Sequence, residues 1–237
     1  MTYRNLTLAC VAVASLVLSS CAQWTESQKA KLSTVAVTQV QVAKDAYQSP
    51  LGAQDVQVHY YGQVGNGSFG QGAAVGAILA LGSEIAEAIQ QKMFESKYAD
   101  AIAKAPQNLP TDLGKRAQTA FATNLAQQPF FRGKIQSSSP NYVSLSIEHY
   151  RYVRSGKADG EVLVRPVITG NLKVTAAGEK LLDTQVVGDA GSHTYPLTHF
   201  ASNPKATSQA FDEAVQNLTI SAIRALDAKT GVKPGGR

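Results

Sequence analysis

Both cysteines of this 237-residue chain, Cys10 and Cys21, fall within its first twenty-one positions. Whatever the remaining residues fold into has no disulfide framework, no thiolate metal site and no thiol nucleophile. Such a body must be held together by an apolar core, and the composition allows one. Hydrophobic residues make up 44% of the chain and charged residues 16%, with a mean hydropathy of -0.12. Those are the values of an ordinary globular protein. The length suits one domain, alone or with an extension. Lys and Arg number 22 against 17 Asp and Glu, a formal charge of +5. No run of five basic residues occurs and none is interleaved with aromatics, so no nucleic-acid partner is expected.

The first twenty-one residues read in three parts. Arg4 precedes an apolar stretch from Leu6 to Leu18, which is too short to span a bilayer as a stable helix. Leu18-Ser19-Ser20-Cys21 comes next. An aliphatic residue, two small residues and a cysteine in this order resemble the lipobox of bacterial lipoprotein precursors. The resemblance covers residues 1–21 only. It implies that 1–20 are a signal peptide, that cleavage falls between Ser20 and Cys21, and that Cys21 carries palmitate-type acyl chains. Several chains anchor stably where one would not. Ala22, where Asp would retain a Gram-negative lipoprotein at the inner membrane, points to the outer membrane with the body facing the periplasm.

Residues 21–32 are polar and read as a lipidated tether. From 33 to 228 the chain reads as a single α/β domain, with a Gly-rich loop and helix inserted over 44–98 and a disordered tail over 229–237. Ser33 to Val42 is the first strand, broken by a bulge near Thr38 or Gln39. A short strand fits Val56–Tyr61. Ala73 to Tyr98 sets Ile78, Leu81, Ile85, Ile89 and Met93 on one helical stripe. A second helix starts after Pro110, with Thr111 as its N-cap and a stripe of Leu113, Ala117, Phe121 and Leu125. Tyr142 to Tyr152 alternates as a half-buried strand. Glu161–Thr169 and Asn171–Thr175 are extended and interrupted by Pro166 and Gly170. Leu181–Val187 pairs back after a turn at 176–179. A last helix, Ala206 to Asp227, buries Phe211, Val215, Leu218, Ala222 and Leu226.

Each strand shows one apolar side, so the expected fold is α+β: a small, mainly antiparallel sheet with helices packed on one face. The element order over 33–228 resembles the periplasmic α/β domains of three groups. These are the auxiliary lipoproteins of ABC transporters, the lipopolysaccharide-assembly lipoprotein and the N-terminal domain of TolB. Fold alone does not give function.

The motifs outside the leader are weaker. Gly65-Asn66-Gly67-Ser68-Phe69-Gly70 matches G-x-G-x-x-G, yet the acidic partner position falls on Glu84 and Glu87 inside a helix pattern, so it reads as a Gly-rich loop and no cofactor is expected. Gly72, Gly76 and Ala80 are spaced by four and form a small-residue face for close helix packing or oligomerisation. The uncharged run from Val64 ends at Glu84, and its apolar helical part is about ten residues, about half of what a bilayer needs. His59, His149, His193 and His199 make no metal motif, and no metal is expected. No G-x-S-x-G occurs, and Asp212 and Glu213 point apart on their helix, so no catalytic set emerges. Tyr195, Phe200, Asn203 and Pro204 are expected to fix the approach to the last helix. The reading is a non-enzymatic outer-membrane lipoprotein. It would be an accessory or scaffold subunit of an envelope transport or assembly complex, with a protein partner in the envelope. The alternative is an oligomerising lipoprotein with a membrane-interacting segment over 64–98, as in secretion channels.

Overall fold

The computed structural model of the chain describes residues 23–50, 92–158 and 161–232. The elements in order are helix α1 (Glu26–Lys31), strands β1 (Val35–Val37) and β2 (Gln41–Val42), and helix α2 (Ala99–Lys104), continued by a 3-10 turn over Ala105–Asn108. Helix α3 (Leu113–Gln127) is followed by strands β3 (Ile135–Gln136), β4 (Tyr142–Ala158), β5 (Glu161–Ala176), β6 (Glu179–Asp189) and β7 (Tyr195–Pro196). Helices α4 (Leu197–Ser202) and α5 (Pro204–Thr230) complete the described elements.

The sheet corrects the expectation of a small, mainly antiparallel one. Among the described residues it has seven strands in a mixed arrangement, ordered β3-β1-β4-β5-β6, with β2 also on β4 and β7 also on β5. The pairs β1–β3, β1–β4 and β2–β4 are parallel, whereas β4–β5, β5–β6 and β5–β7 are antiparallel. The reason lies in connectivity. Parallel neighbours need a long crossover between them, and the stretch from β2 to β4, which includes α3, supplies it. Strands of two or three residues carry no alternation that would betray their direction. The break foreseen near Thr38 or Gln39 does separate β1 from β2, and the Val40 amide there donates to Gln118 Oε1 of α3 at 2.6 Å.

The two interruptions expected within β5 are not breaks. Pro166 stands where β6 has ended, so its missing N–H leaves no ladder bond unmade, and its carbonyl accepts from the Ala190 amide at 3.0 Å. Gly170 lies where β4 shifts register between Ile147 and His149, and a Cβ there would strike the Ser146 carbonyl. The β5–β6 turn places Ala177 at φ 51 and Gly178 at φ 78, the left-handed pair of a two-residue hairpin with primed-turn geometry.

Val143, Leu145 and Ile147 are buried as their alternation requires, and the register shift then brings Tyr150 and Tyr152 toward the same core. Helix α5 lies on β5 and β6, and α3 packs on α5. Gly188 of β6 allows the closest approach: a Cβ there would collide with the Ala214 carbonyl and the Leu218 amide. Two of the three helical stripes read from the sequence face inward, since Leu113, Ala117, Phe121 and Leu125 of α3 and Phe211, Val215, Leu218, Ala222 and Leu226 of α5 are all buried, whereas Ile78, Leu81, Ile85 and Ile89 of the third lie outside the described residues.

Three boundaries differ from the sequence reading. Helix α3 has Asp112, not Thr111, at its N-cap, and Asp112 makes no side-chain cap bond because its carboxylate takes Arg116 Nε at 2.7 Å. Met93 is 67% exposed, while Phe94 and Tyr98 beside it are buried and in ring contact, so the apolar stripe is displaced by one residue at that end. Residues 229 and 230, assigned to a disordered tail, close α5, with Thr230 buried and Gly231 as a left-handed cap.

Candidate functional site

Cys21 and Ser20, the acylation and cleavage positions, lie outside the described residues, as do Gly72, Gly76, Ala80, the 65–70 glycine loop, the Val56–Tyr61 strand and His59. The described chain begins two residues after Cys21, and its first ten residues do not form a tether. Trp24 is only 4% exposed. Thr25 and Gln28 form a reciprocal capping box, in which the Gln28 amide donates to Thr25 Oγ1 at 3.2 Å and the Thr25 amide to Gln28 Oε1 at 3.0 Å. This box nucleates α1, which otherwise is too short to hold itself.

Trp24 is fixed from three directions. Its amide donates to the Lys229 carbonyl at the end of α5 at 2.7 Å, and its indole Nε1 donates to the Leu181 carbonyl of β6 at 3.2 Å. Its ring lies 6.3 Å from Phe130, in the turn between α3 and β3. The far end of α1 is held as firmly. Leu32 is fully buried, and the buried Asn141 donates to the carbonyls of Lys31 and Thr34 while its Oδ1 accepts from Ala177 of the hairpin. Lys31 Nζ meets Glu179 Oε2 at 2.5 Å and holds that carboxyl below its ordinary range. Residues 23–32 are therefore welded to one end of the body, where α3 and α5 finish and the β5–β6 hairpin turns.

Among the described residues the histidines do not assemble a site. His193 Nδ1 is 2.6 Å from Glu213 Oε2, and Ser192 Oγ approaches the same nitrogen at 3.3 Å. A relay would need the serine on the other ring nitrogen, so this trio has no Ser-His-Glu geometry. Burial disfavours the charge on Glu213, but hydrogen bonds from His193 and Ser192 outweigh it and leave the carboxyl below its usual value. His199 packs on Tyr195 at 4.7 Å and His193 contacts the same ring at 6.3 Å. Phe200, fully buried, lies 4.9 Å from Tyr152, and Asn203 Oδ1 accepts from the Ala206 amide to cap α5. These aromatics do fix the approach to the last helix. Asp212 and Glu213 diverge as expected, the first to Arg116 and the second to His193.

A shallow open groove of about 360 Å³ runs between α3 and α5, lined by Asp112, Lys115, Arg116, Asn124 and Gln216 among others. Arg116 in it is bound by Asp112, Asp212 and Ser208, which ties the two helices together. Among the described residues no group of three or more His, Cys, Asp or Glu could hold a metal ion. No helix among them is long and apolar enough to cross a membrane. Burial lowers the pKa of His149, with Arg151 adding to the effect and Glu148 opposing it.

The signal that sequence reading missed is the capping box. Thr25-Glu26-Ser27-Gln28 has the pattern of a helix start directly after the chain's single tryptophan.

No protein-family model and no curated protein matches this sequence. Two similar solved structures are bacterial. One is a provisionally assigned lipoprotein from Caulobacter crescentus CB15, at 18% identity and a TM-score of 0.33, covering 49% of this chain and 83% of that one. The other is a Xanthomonas campestris protein of family DUF330, at 11% identity and a TM-score of 0.36, covering 84% and 85%. The first belongs by description to the class that Leu18–Cys21 resembles, but at these TM-scores neither likeness carries an argument.

Proposed function

We propose that this chain is a bacterial envelope lipoprotein, acylated at Cys21 and held at the outer membrane with its body in the periplasm. There it serves as a non-enzymatic accessory or scaffold subunit of a transport or assembly complex. The observation that carries the reading is the junction between motif and body. Leu18-Ser19-Ser20-Cys21 ends two residues before a segment that is capped, held by the buried Trp24 and Leu32, and bonded to α5 and β6. A leader meant to remain attached would gain nothing from such a junction. A mature N-terminus at Cys21 does, because every described residue from Gln23 onward then belongs to the folded unit.

A scaffold role also fits the chemistry of the described surface. Several of its ion pairs, such as Arg116 with Asp212 and Lys31 with Glu179, join one element to another. The test is affinity purification of the lipidated protein from solubilised envelopes, with co-purifying proteins identified by mass spectrometry. A defined set of envelope proteins in constant ratio is expected. Recovery of the protein alone, or as a ring of identical copies, would remove the accessory role, and the ring would favour the oligomerising alternative.

A further inference from the structure

We infer that the end of the body carrying Trp24 lies directly on the phospholipid surface, so that the anchored protein has one fixed orientation. This rests on acylation at Cys21 and goes beyond it, because an anchor by itself sets no orientation of the body. The length of chain available decides the matter. From Cys21 to Gln23 there are two residue steps, which reach about 7 Å when fully extended. The polar layer of one leaflet is about 5–8 Å deep. An acylated Cys21 sits at the boundary of that layer with the hydrocarbon, so Gln23 cannot clear the headgroups by more than a few ångströms. The Gln23 side chain also packs against Gly231, and the Trp24 amide is bonded to Lys229. The body is thus brought down with the anchor.

The surface brought down has the right character for phospholipid headgroups. Helix α1 turns Ser27, Ala30 and Lys31 outward, and Arg132 and Gly133 project from the neighbouring turn. Lys134 Nζ lies 3.6 Å over the Phe130 ring beside them. Three of the four acids at this end, Glu26, Glu179 and Asp183, already face a lysine, namely Lys29, Lys31 and Lys180. Asp227, bonded to Gln128, is the fourth, against Arg132, Lys134 and Lys229. The end therefore carries a net positive charge, within a screening length of an anionic surface.

The opposite end of the body is where β4 finishes and β5 starts. Tyr47 bridges to Tyr150 halfway along β4, and Tyr98 Oη donates to Glu161 Oε2 at the start of β5. Contact with lipid at the Trp24 end would turn that region of the body away from the membrane.

Acylation consumes the Cys21 sulfur, so an introduced cysteine would be the mature protein's single free thiol. Full-length Ala30→Cys, Arg132→Cys and Ala103→Cys proteins, purified with their lipid, would carry an environment-sensitive fluorophore in phosphatidylethanolamine–phosphatidylglycerol vesicles. Lipids with a quencher on the headgroup should remove most of the emission at positions 30 and 132 and leave position 103 on α2 unchanged. Eight Gly-Ser residues inserted between Ala22 and Gln23 should restore most of the lost emission. If the proteins float with the vesicles and all three positions are quenched alike, the inference is overturned while anchoring stands. A label at position 30 shielded from water yet unquenched would place a second copy on that face and overturn it too. Absence of acyl mass on Cys21 overturns both the inference and the reading beneath it.

Discussion

Replacing Trp24 with alanine separates a docked N-terminus from a tether more sharply than any other substitution. A buried tryptophan withdraws roughly 150–250 Å² from water, which at about 25 cal/mol per Å² is worth roughly 4–6 kcal/mol as an upper limit. Measured Trp→Ala losses in cores run about 3–5 kcal/mol. At Trp24 the loss should not appear in full as global destabilisation. Helix α1 buries no residue of its own, so Trp24 at one end and Leu32 at the other hold it down. With Trp24 gone, the segment can lift away from Phe130 and Leu181 while β4, β5 and α5 remain packed. Amide hydrogen exchange by mass spectrometry resolves the two cases. Protection of residues 24–32 should fall by at least about 100-fold, the factor for a loss near 3 kcal/mol. Peptides from β5 and α5 should keep theirs. Trp24→Phe keeps the apolar contact but loses the indole bond to Leu181, a change of about 1 kcal/mol or about fivefold in exchange. Equal protection of 24–32 in wild type and Trp24→Ala would refute the docking argument. Collapse of protection throughout would show that α1 is integral to the core.

Other perturbations test other parts of the fold. Gly188→Ala forces a methyl group onto the backbone of α5 and should lower the urea midpoint by the equivalent of more than about 2 kcal/mol; an unchanged midpoint would mean that the helix does not cross β6 there. Tyr152→Phe removes a buried hydroxyl beside Thr207, whose own hydroxyl donates to the Phe200 carbonyl at 3.0 Å, so stability should hold or rise by up to about 1 kcal/mol; a clear loss in urea titration would show a full bond between Tyr152 and Thr207. Glu213 has its pKa depressed in the folded state, so its contribution is present above the unfolded carboxylate value near 4.3 and is lost as pH falls through the lower folded value. Glu213→Gln should therefore destabilise at pH 7 and flatten the acid limb of stability against pH, read by thermal melts from pH 7 to pH 3.

The core was readable wherever a long element keeps one period. The stripe from Phe211 to Leu226 and the alternation of Val143, Leu145 and Ile147 needed no tertiary knowledge, because helices and strands of that length bury one face. The parallel pairing of β1, β2 and β3 was not readable, since a three-residue strand such as Val35–Val37 has the same local pattern in either direction. Pro166 and Gly170 looked like breaks because their effect depends on the neighbour strand: Pro166 lies past the end of β6, and Gly170 at the register shift of β4. Trp24 was obscured for another reason. The next large apolar residue, Leu32, is eight positions on across a polar stretch, too far to show a period. Its burial depends on Phe130 and Leu181, more than a hundred residues away. Only the local signature of Thr25 and Gln28 announced that a helix begins there.

The anchoring event itself is tested most directly by the mass of the protein's N-terminal peptide after purification from bacterial membranes. An N-terminus at Cys21, heavier by a diacylglycerol and an amide-linked acyl chain, is the expected result, with Cys21→Ser accumulating at full length without that mass. An unmodified Cys21, or a mature chain that begins anywhere else, would contradict the assignment of this protein to the lipid-anchored class.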